Sequence, residues 1–244
     1  MKISVICVYN NRAQLDEQLV ASIKAQNVEC EFIPLDNRDN IFPSAAKALN
    51  HGASLAQGDI LIFSHQDIFF KTESELKELA EAIQQCEVGT IVGTAGVKEP
   101  SKFYYMNLTS TMIYNSELQD ILPKQLYNVS TVDECLFGMK RATWEAHPFN
   151  EVLCDNWHLY AVEACLWARQ HDHSVYVYPS QVHHFSWGHI SLGYMMNLKE
   201  LCKTYRKDFK YIWTTCYKVR TNSIYINTLV ALWVTQRFLR GKLK

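Results

Sequence analysis

The sequence lacks a glycine-rich phosphate loop. Neither G-x-G-x-x-G nor G-x-x-x-x-G-K-[ST] follows its first apolar run, so the backbone cradle that seats a pyrophosphate on a helix N-terminus is missing. This disfavours dinucleotide-dependent dehydrogenases and P-loop nucleotidases. A diphosphate bound here would need a metal as counter-charge. Glycine and proline are scarce, 9 and 6 of 244 residues. With no repeat of about 20–50 residues and no low-complexity run, collagen-like, disordered and solenoid architectures are excluded. There is no C-x-x-C pair either. Cys7, Cys30, Cys86, Cys135, Cys154, Cys165, Cys202 and Cys216 are scattered, several in apolar runs where a thiol acts as a small hydrophobe. With no leader pattern before Ile3, this predicts a reducing, cytoplasmic compartment. The most apolar late stretch, Ile224 to Val234, is interrupted by Asn227 and Thr228. It falls short of the ~20 residues of a spanning helix.

What is present is a globular composition, 48% hydrophobic and 12% aromatic, enough for one large or two modest cores. The net charge of −1 is unevenly spread. From Lys199 onward eleven Lys/Arg face only Glu200 and Asp208, a balance of +9, so the first 198 residues carry −10. A basic tail of this kind meets something anionic or is simply a solvated helical face.

Ile3 to Val8 is an apolar strand ending at Asn10-Asn11, followed by Leu15, Leu19 and Ile23 at helical spacing. Glu31 to Leu35 reads as a second strand stopping at Asp36-Asn37. A helix from the N-cap Ser44 to Gly58 then leads to a third strand, Ile60 to Phe63. This β-α-β-α-β order predicts a parallel sheet covered by helices, with ligands at the strands' carboxyl ends. Those ends carry Tyr9-Asn10-Asn11, Asp36-Asn37 and Ser64-His65-Gln66-Asp67. Further on, the pattern predicts a helix over 74–85, a strand over 90–92, strand-like runs over 107–114 and 132–139, a helix over 158–170 and a strand over 174–178. A His-rich loop, 181–189, follows. Asp67 is placed to hold the required metal.

These residues resemble the nucleotide-sugar half of family 2 glycosyltransferases of GT-A fold. The resemblance rests on Val5 to Asn10, Leu35-Asp36-Asn37, Leu49-Asn50-His51-Gly52 and Ala56 to Ile68. His65-Gln66-Asp67 as a form of the D-x-D motif, with Trp157-His158-Leu159-Tyr160 and Val182 to Ser186, is similar to a bacterial branch of that family. It implies an α/β GT-A fold, with a mostly parallel nucleotide-binding sheet flanked by helices. The catalytic domain would span 1–190, with a nucleotide-sugar half over 1–100 and an acceptor half over 101–190, and 191–244 would form a helical, basic extension. It further implies inverting transfer from a nucleotide sugar, by family default a UDP-sugar, to a saccharide or lipid-linked acceptor. The site would contain Mn2+ or Mg2+, and no nucleic acid is expected as a partner.

Under that resemblance Val8, Tyr9 and Asn10 border base and ribose, Asp36 and Asn37 face the base, and His65 and Gln66 flank the ribose and metal. Asp67 ligates the metal, with His184 or His183 approaching it from the far loop. Asp133, Glu134 and Trp157 lie near the donor sugar or acceptor. Inverting transfer needs a base for the acceptor hydroxyl, and here the sequence departs from the family. The family's acid-x-acid pattern falls on Ala161 and Glu163, so the first acid is missing. Glu163 is the first candidate base, and Asp155 and His158 are the others. Ala161 also motivates a rival reading, a nucleotide-sugar-binding scaffold that has lost its base. A third reading takes His65, Asp67 and His184 as the two-histidine, one-carboxylate set of a non-haem iron oxygenase; the βαβαβ opening contradicts the all-β fold that such a site requires.

In the tail, a helix from about Asn222 is expected to place Leu229, Val230, Leu232 and Trp233 on an apolar side, with basic residues at both ends. That combination suits an anionic membrane surface, which would make the protein peripheral on the inner face of the membrane. The competing expectations are packing on the catalytic domain and pairing in a homodimer.

Overall fold

The computed structural model describes residues 1–98, 107–110, 123–186 and 190–240. Residues 111–114 of the expected middle strand, Trp187, Gly188 and His189 of the His-rich loop, and Lys242 and Lys244 of the tail lie outside the described residues.

β1 (Ile3–Tyr9) leads into α1 (Arg12–Leu15), which passes through a π-helical turn (Asp16–Val20) into α2 (Ala21–Lys24). β2 (Glu31–Asp36), α3 (Ala45–Leu55) and β3 (Ile60–Ser64) complete the expected opening. β4 (Ile68–Phe70), α4 (Glu75–Gln85), β5 (Ile91–Gly93), β6 (Ala95–Lys98), β7 (Asn107–Ser110), β8 (Tyr127–Asn128), β9 (Thr131–Val132) and β10 (Leu136–Lys140) follow. The chain continues through α5 (Arg141–Ala146), α6 (Tyr160–Gln170), β11 (Val175–Val177), β12 (Val182–His184), α7 (Leu192–Thr204), β13 (Tyr211–Trp213), β14 (Lys218–Arg220) and α8 (Ser223–Leu239).

The central sheet has the order β2-β1-β3-β10-β5-β11-β8. β1 pairs in parallel with β2 and β3, and β5 with β11, while β10 and β8 run antiparallel to their neighbours. Both faces of the sheet are covered, which explains why its strands read as unbroken apolar runs. Ile6, Leu61 and Phe63 point to a core shared with α3 and α6. Val5, Ile60 and Ile62 point the other way, to Leu15, Leu19, Leu76 and Leu79. Each fully buried side chain of this size contributes roughly 1.5–3 kcal/mol. Small residues let α3 lie close to the sheet, and a Cβ on Gly52 would stand 2.5 Å from Ile6 Cγ2.

A third core joins the outer side of α6, through Leu159, Val162 and Leu166, to α7, β13, β14 and α8. It corrects the expected apolar side of the tail helix. Val230, Leu229 and Trp233 pack inward here, while Leu232 faces solvent.

Two local differences from expectation bear on the site. The run 132–139 is broken at Asp133, whose Oδ1 accepts the Cys135 N–H at 3.1 Å, an Asx turn that competes with strand pairing. The helix expected from His158 starts at Tyr160, because Leu159 is held left-handed at φ 71°. A leucine there carries strain of about 1–2 kcal/mol.

Candidate active site

β2 and β3 lie on opposite sides of β1, so the chain reverses its winding there and leaves a crevice at the strands' carboxyl ends. Gln66, just past β3, spans this crevice. Its Oε1 accepts the N–H groups of Asn10 and Asn11, each at 3.0 Å. Its Nε2 donates to Asn10 Oδ1 at 2.9 Å and Gln14 Oε1 at 3.2 Å. Two lone pairs and two hydrogens are thereby used, the full capacity of an amide. Gln66 borders the cleft, but it fixes the strand ends and has no polar group left for a ribose.

His65 and Asp67, on either side of Gln66, turn towards His184. The link is the antiparallel pairing of β4 with β12, which sets His184 against Ile68, and the Phe185 N–H donates to the Asp67 carbonyl at 3.1 Å. His184 Nε2 stands 3.3 Å from Asp67 Oδ1, and His65 Nδ1 stands 3.9 Å from the same oxygen. Ligand atoms of the three residues lie within 4.8 Å of one another, which suits one divalent ion. Burial opposes ionisation of Asp67, but the hydrogen bond and electrostatic pull of His184, with a smaller pull from His65, outweigh it and hold the carboxyl well below its usual range. Desolvation, then His184, push His65 down to about 4, keeping its imidazole neutral as a ligand must be. The Tyr160 hydroxyl stands 3.5 Å from His65 Nε2, an outer partner of the kind that orients a ligating ring. His183 does not join. Successive strand residues face opposite ways, and its ring packs on Phe185 instead, 4.2 Å between centroids.

The cleft beside this cluster has a volume of about 350 Å3. Val8, Tyr9, Asn10, Asn37, His65, Gln66, Asp67 and Trp157 all line it, so the structure brings together most of the expected nucleotide residues. Asn37 does so as a loop pin: it accepts the Phe42 N–H at 2.7 Å and donates to the Phe42 carbonyl at 3.3 Å. Asp36 is absent from the lining. Its carboxylate accepts from Arg38 at 2.6 Å, and those hydrogen bonds hold it well below the usual carboxylate range. Sequence reasoning missed Asn40, Ala45, Tyr160 and Ser186 as lining residues. Tyr160 and Ser186 lay in motifs already singled out, but nothing local marked which way they point.

The expected bases separate sharply. Glu163 is 0% exposed. It accepts from the Tyr205 hydroxyl at 2.8 Å, pairs with His147 Nε2 at 3.0 Å and receives Asn150 Nδ2 at 3.5 Å. Residues two apart on a helix diverge, so Ala161 packs in the core under the sheet while Glu163 turns to His147, Asn150 and Tyr205. Glu163 therefore does not reach the cleft, and its carboxylate is spent on Tyr205, His147 and Asn150. Asp155 is exposed and outside the cleft lining. Asp133 is tied by its Oδ2 to the Thr215 hydroxyl at 2.6 Å. Glu134 and His158 also lie outside the cleft lining, beside its Trp157 and Tyr160, and meet each other, Oε2 to Nδ1 at 3.6 Å. Glu134 Oε1 is buried with no hydrogen-bond partner, and burial raises this carboxyl although His158 opposes the rise.

Residues 4–212 match the profile of the glycosyltransferase-like family. The chain belongs to that family. A search of curated proteins finds no match. Among solved structures, this glycosyltransferase-like chain is similar to GalNAc-T7 crystallised with UDP, GalNAc and Mn2+, at 13% identity and a TM-score of 0.65 over 85% of this chain and 48% of that one. It thus spans about half the length of that protein. It is also similar to S. aureus TarS in complex with UDP-GlcNAc, at 13% identity and a TM-score of 0.54, over 98% of this chain and 73% of that one. A third similar structure is the Pyrobaculum calidifontis mannosyltransferase PcManGT with GDP-Man and Mn2+, at 14% identity and a TM-score of 0.57, over 95% of this chain and 69% of that one. These likenesses establish the GT-A fold, which also removes the oxygenase reading of the His65, Asp67 and His184 set.

Proposed function

We propose that this chain transfers a sugar from a nucleotide-sugar donor to a hydroxyl of a saccharide or lipid-linked acceptor, with inversion. The observation that carries the proposal is the convergence of His65, Asp67 and His184 at the rim of an open cleft bounded by the end of β1. Two imidazoles and a carboxylate suit Mn2+ better than Mg2+, which favours all-oxygen sets. Bound there, the cation supplies the counter-charge for the departing diphosphate. Tyr9 and Trp157 offer flat surfaces for base or sugar, and Gln66 holds the β1 end at a fixed distance from the ligands.

In the reaction, the acceptor oxygen forms its bond to the anomeric carbon as the bond from that carbon to the nucleoside diphosphate breaks. His158 takes the acceptor proton and Glu134 holds the imidazole from behind, the arrangement by which a buried carboxylate orients a histidine base. This pair stands in for the acid missing at Ala161. His158 is the more exposed partner, 29% against 12% for the Glu134 side chain, so the histidine meets the acceptor.

The test is a thermal-shift screen of UDP- and GDP-sugars with and without Mn2+. A ligand raises stability by RT ln(1 + [L]/Kd), so a Mn2+-dependent rise with one nucleotide would name the donor, and no rise with any would overturn the reading. Ala161 favours one alternative, a binder without turnover. Donor hydrolysis under Mn2+ separates the two, since slow release of the free sugar is expected of an enzyme and none of a binder.

A further inference from the structure

α8 has two faces. Ile226 and Val230, with Leu229, Trp233 and Val234, pack into the third core. On the other side Ile224, Ala231 and Phe238 form one row at seven-residue spacing and Tyr225, Leu232 and Leu239 a second, with Thr228 and Thr235 between them, all exposed. At 100° per residue these positions fall within an arc of about 140°. Ile224 is 79% exposed, Leu232 64%, Phe238 66% and Leu239 78%. Large apolar side chains scattered singly need no explanation, but a continuous row along one helix marks a contact surface.

The charges around this face are predominantly positive. No Asp or Glu follows Asp208 in the sequence, and the Asp208 carboxylate accepts from Gln170 at 3.0 Å. At the N-terminal end of α8, the four cations Arg206, Lys207, Lys210 and Arg220, with Asp208 between them, border an open depression that reaches Asn222 and Ser223. At the other end stand Arg237, stacked on Trp233 at 5.1 Å, and Arg240. A second copy of the chain laid along α8 would set cations on cations, whether the helices ran parallel or antiparallel. An anionic plane satisfies both ends at once. Among the described residues no helix is long and apolar enough to cross a membrane. The 17 residues of α8 can instead lie along a surface.

We infer that this face docks on an anionic lipid bilayer, with the rows of Ile224 and Tyr225 inserted among the headgroups and the two cationic ends on the lipid phosphates. The pattern of apolar face, aromatic residues and flanking cations is that of an interfacial helix. The inference goes beyond sugar transfer, and its test reads binding whether or not the chain is an enzyme.

The full chain is sedimented with vesicles of phosphatidylcholine alone and of phosphatidylcholine with phosphatidylglycerol, at about 50 and about 500 mM salt. Binding is expected to the mixed vesicles at low salt, weakening at least about tenfold at high salt. Leu232→Ser with Phe238→Ser should weaken it by at least about tenfold. Replacing Arg206, Lys207 and Arg220 by Gln should weaken it by about fivefold for each cation removed. All these side chains lie at the surface, so an unchanged circular dichroism spectrum and melting temperature are expected; should the apolar variant unfold, the cation variant decides alone. Absence of binding at low salt, or variants that bind like the unaltered chain, would overturn the inference. So would analytical ultracentrifugation showing a dimer that Leu232→Ser with Phe238→Ser dissolves, which would assign the face to a second copy.

Discussion

Gln66 and Asn10 clasp each other across the point where the sheet reverses its winding. Gln66 Oε1 accepts the Asn10 N–H at 3.0 Å, while Gln66 Nε2 donates to Asn10 Oδ1 at 2.9 Å. The middle residue of His65-Gln66-Asp67 is therefore a spacer with a task of its own. It ties β1 to the loop that carries His65 and Asp67, so the end of β1 and the His65, Asp67 and His184 cluster are held in one frame.

Gln66→Glu tests this directly. A carboxylate can still accept from the two N–H groups, but it cannot donate to Asn10 Oδ1 and Gln14 Oε1 and would set oxygen against oxygen. A loss of about 0.5–1.5 kcal/mol is expected in denaturant unfolding, together with weaker nucleotide binding by calorimetry. A variant as stable as the unaltered chain would show that the clasp contributes nothing.

The metal assignment makes a contrast between adjacent histidines. If the cluster holds the ion, Asp67→Asn, which removes the carboxylate charge, and His184→Ala, which removes the imidazole, should each weaken Mn2+ binding by at least about tenfold, read by calorimetry or by electron paramagnetic resonance of free Mn2+. His183→Ala should leave it unchanged, since that ring lies on the other side of β12 over Phe185. Equal losses from His183 and His184 would refute the geometry.

Glu163→Gln should act on stability and not on turnover. Its carboxylate accepts from Tyr205 and pairs with His147 inside the protein, and disturbing a buried pair of this kind costs about 1–3 kcal/mol. The expected outcome is a lower melting temperature with kcat of the folded fraction within about threefold. A fall of a hundredfold or more in kcat at unchanged stability would restore Glu163 as the base.

The sheet and the crevice were legible because both depend on local order: apolar runs, turn residues and helical spacing recur along Ile3 to Phe63, and the carboxyl ends then follow from topology. What the sequence hid is which way side chains point. His183 and His184 differ only by strand phase, which β12 acquires from pairing with β4, more than a hundred residues away. Glu163 was attractive because it aligned with an acid of the family's pattern. Its direction was set by α6 starting at Tyr160, after a left-handed Leu159 that no propensity foretells. The Glu134 and His158 contact joins a turn to a helix start across 24 positions and leaves no periodic trace.

Glu134 carries the last prediction, in which stability and activity move in opposite directions. Its Oε1 is buried without a hydrogen-bond partner, and burial holds the carboxyl above its ordinary value against the pull of His158. A carboxyl raised on folding binds protons more tightly in the native chain than in the unfolded one. Stability from this group is therefore lost as pH rises from the ordinary glutamate range through the native value. Glu134→Gln cannot ionise and should remove that loss, so near neutral pH the variant should melt higher, by about 2–4 °C for each kcal/mol relieved. It also removes the anion that holds His158 and balances the imidazolium formed when the acceptor gives up its proton. In a transferase assay with the donor found by thermal shift, kcat should fall by about 100-fold or more, with KM for the donor nearly unchanged because neither side chain lines the cleft beside Val8, Tyr9 and Asn10. Glu134→Asp should recover part of the loss. A merely structural role would lower kcat and melting temperature together, and an unaltered kcat in a more stable variant would take the base away from this pair.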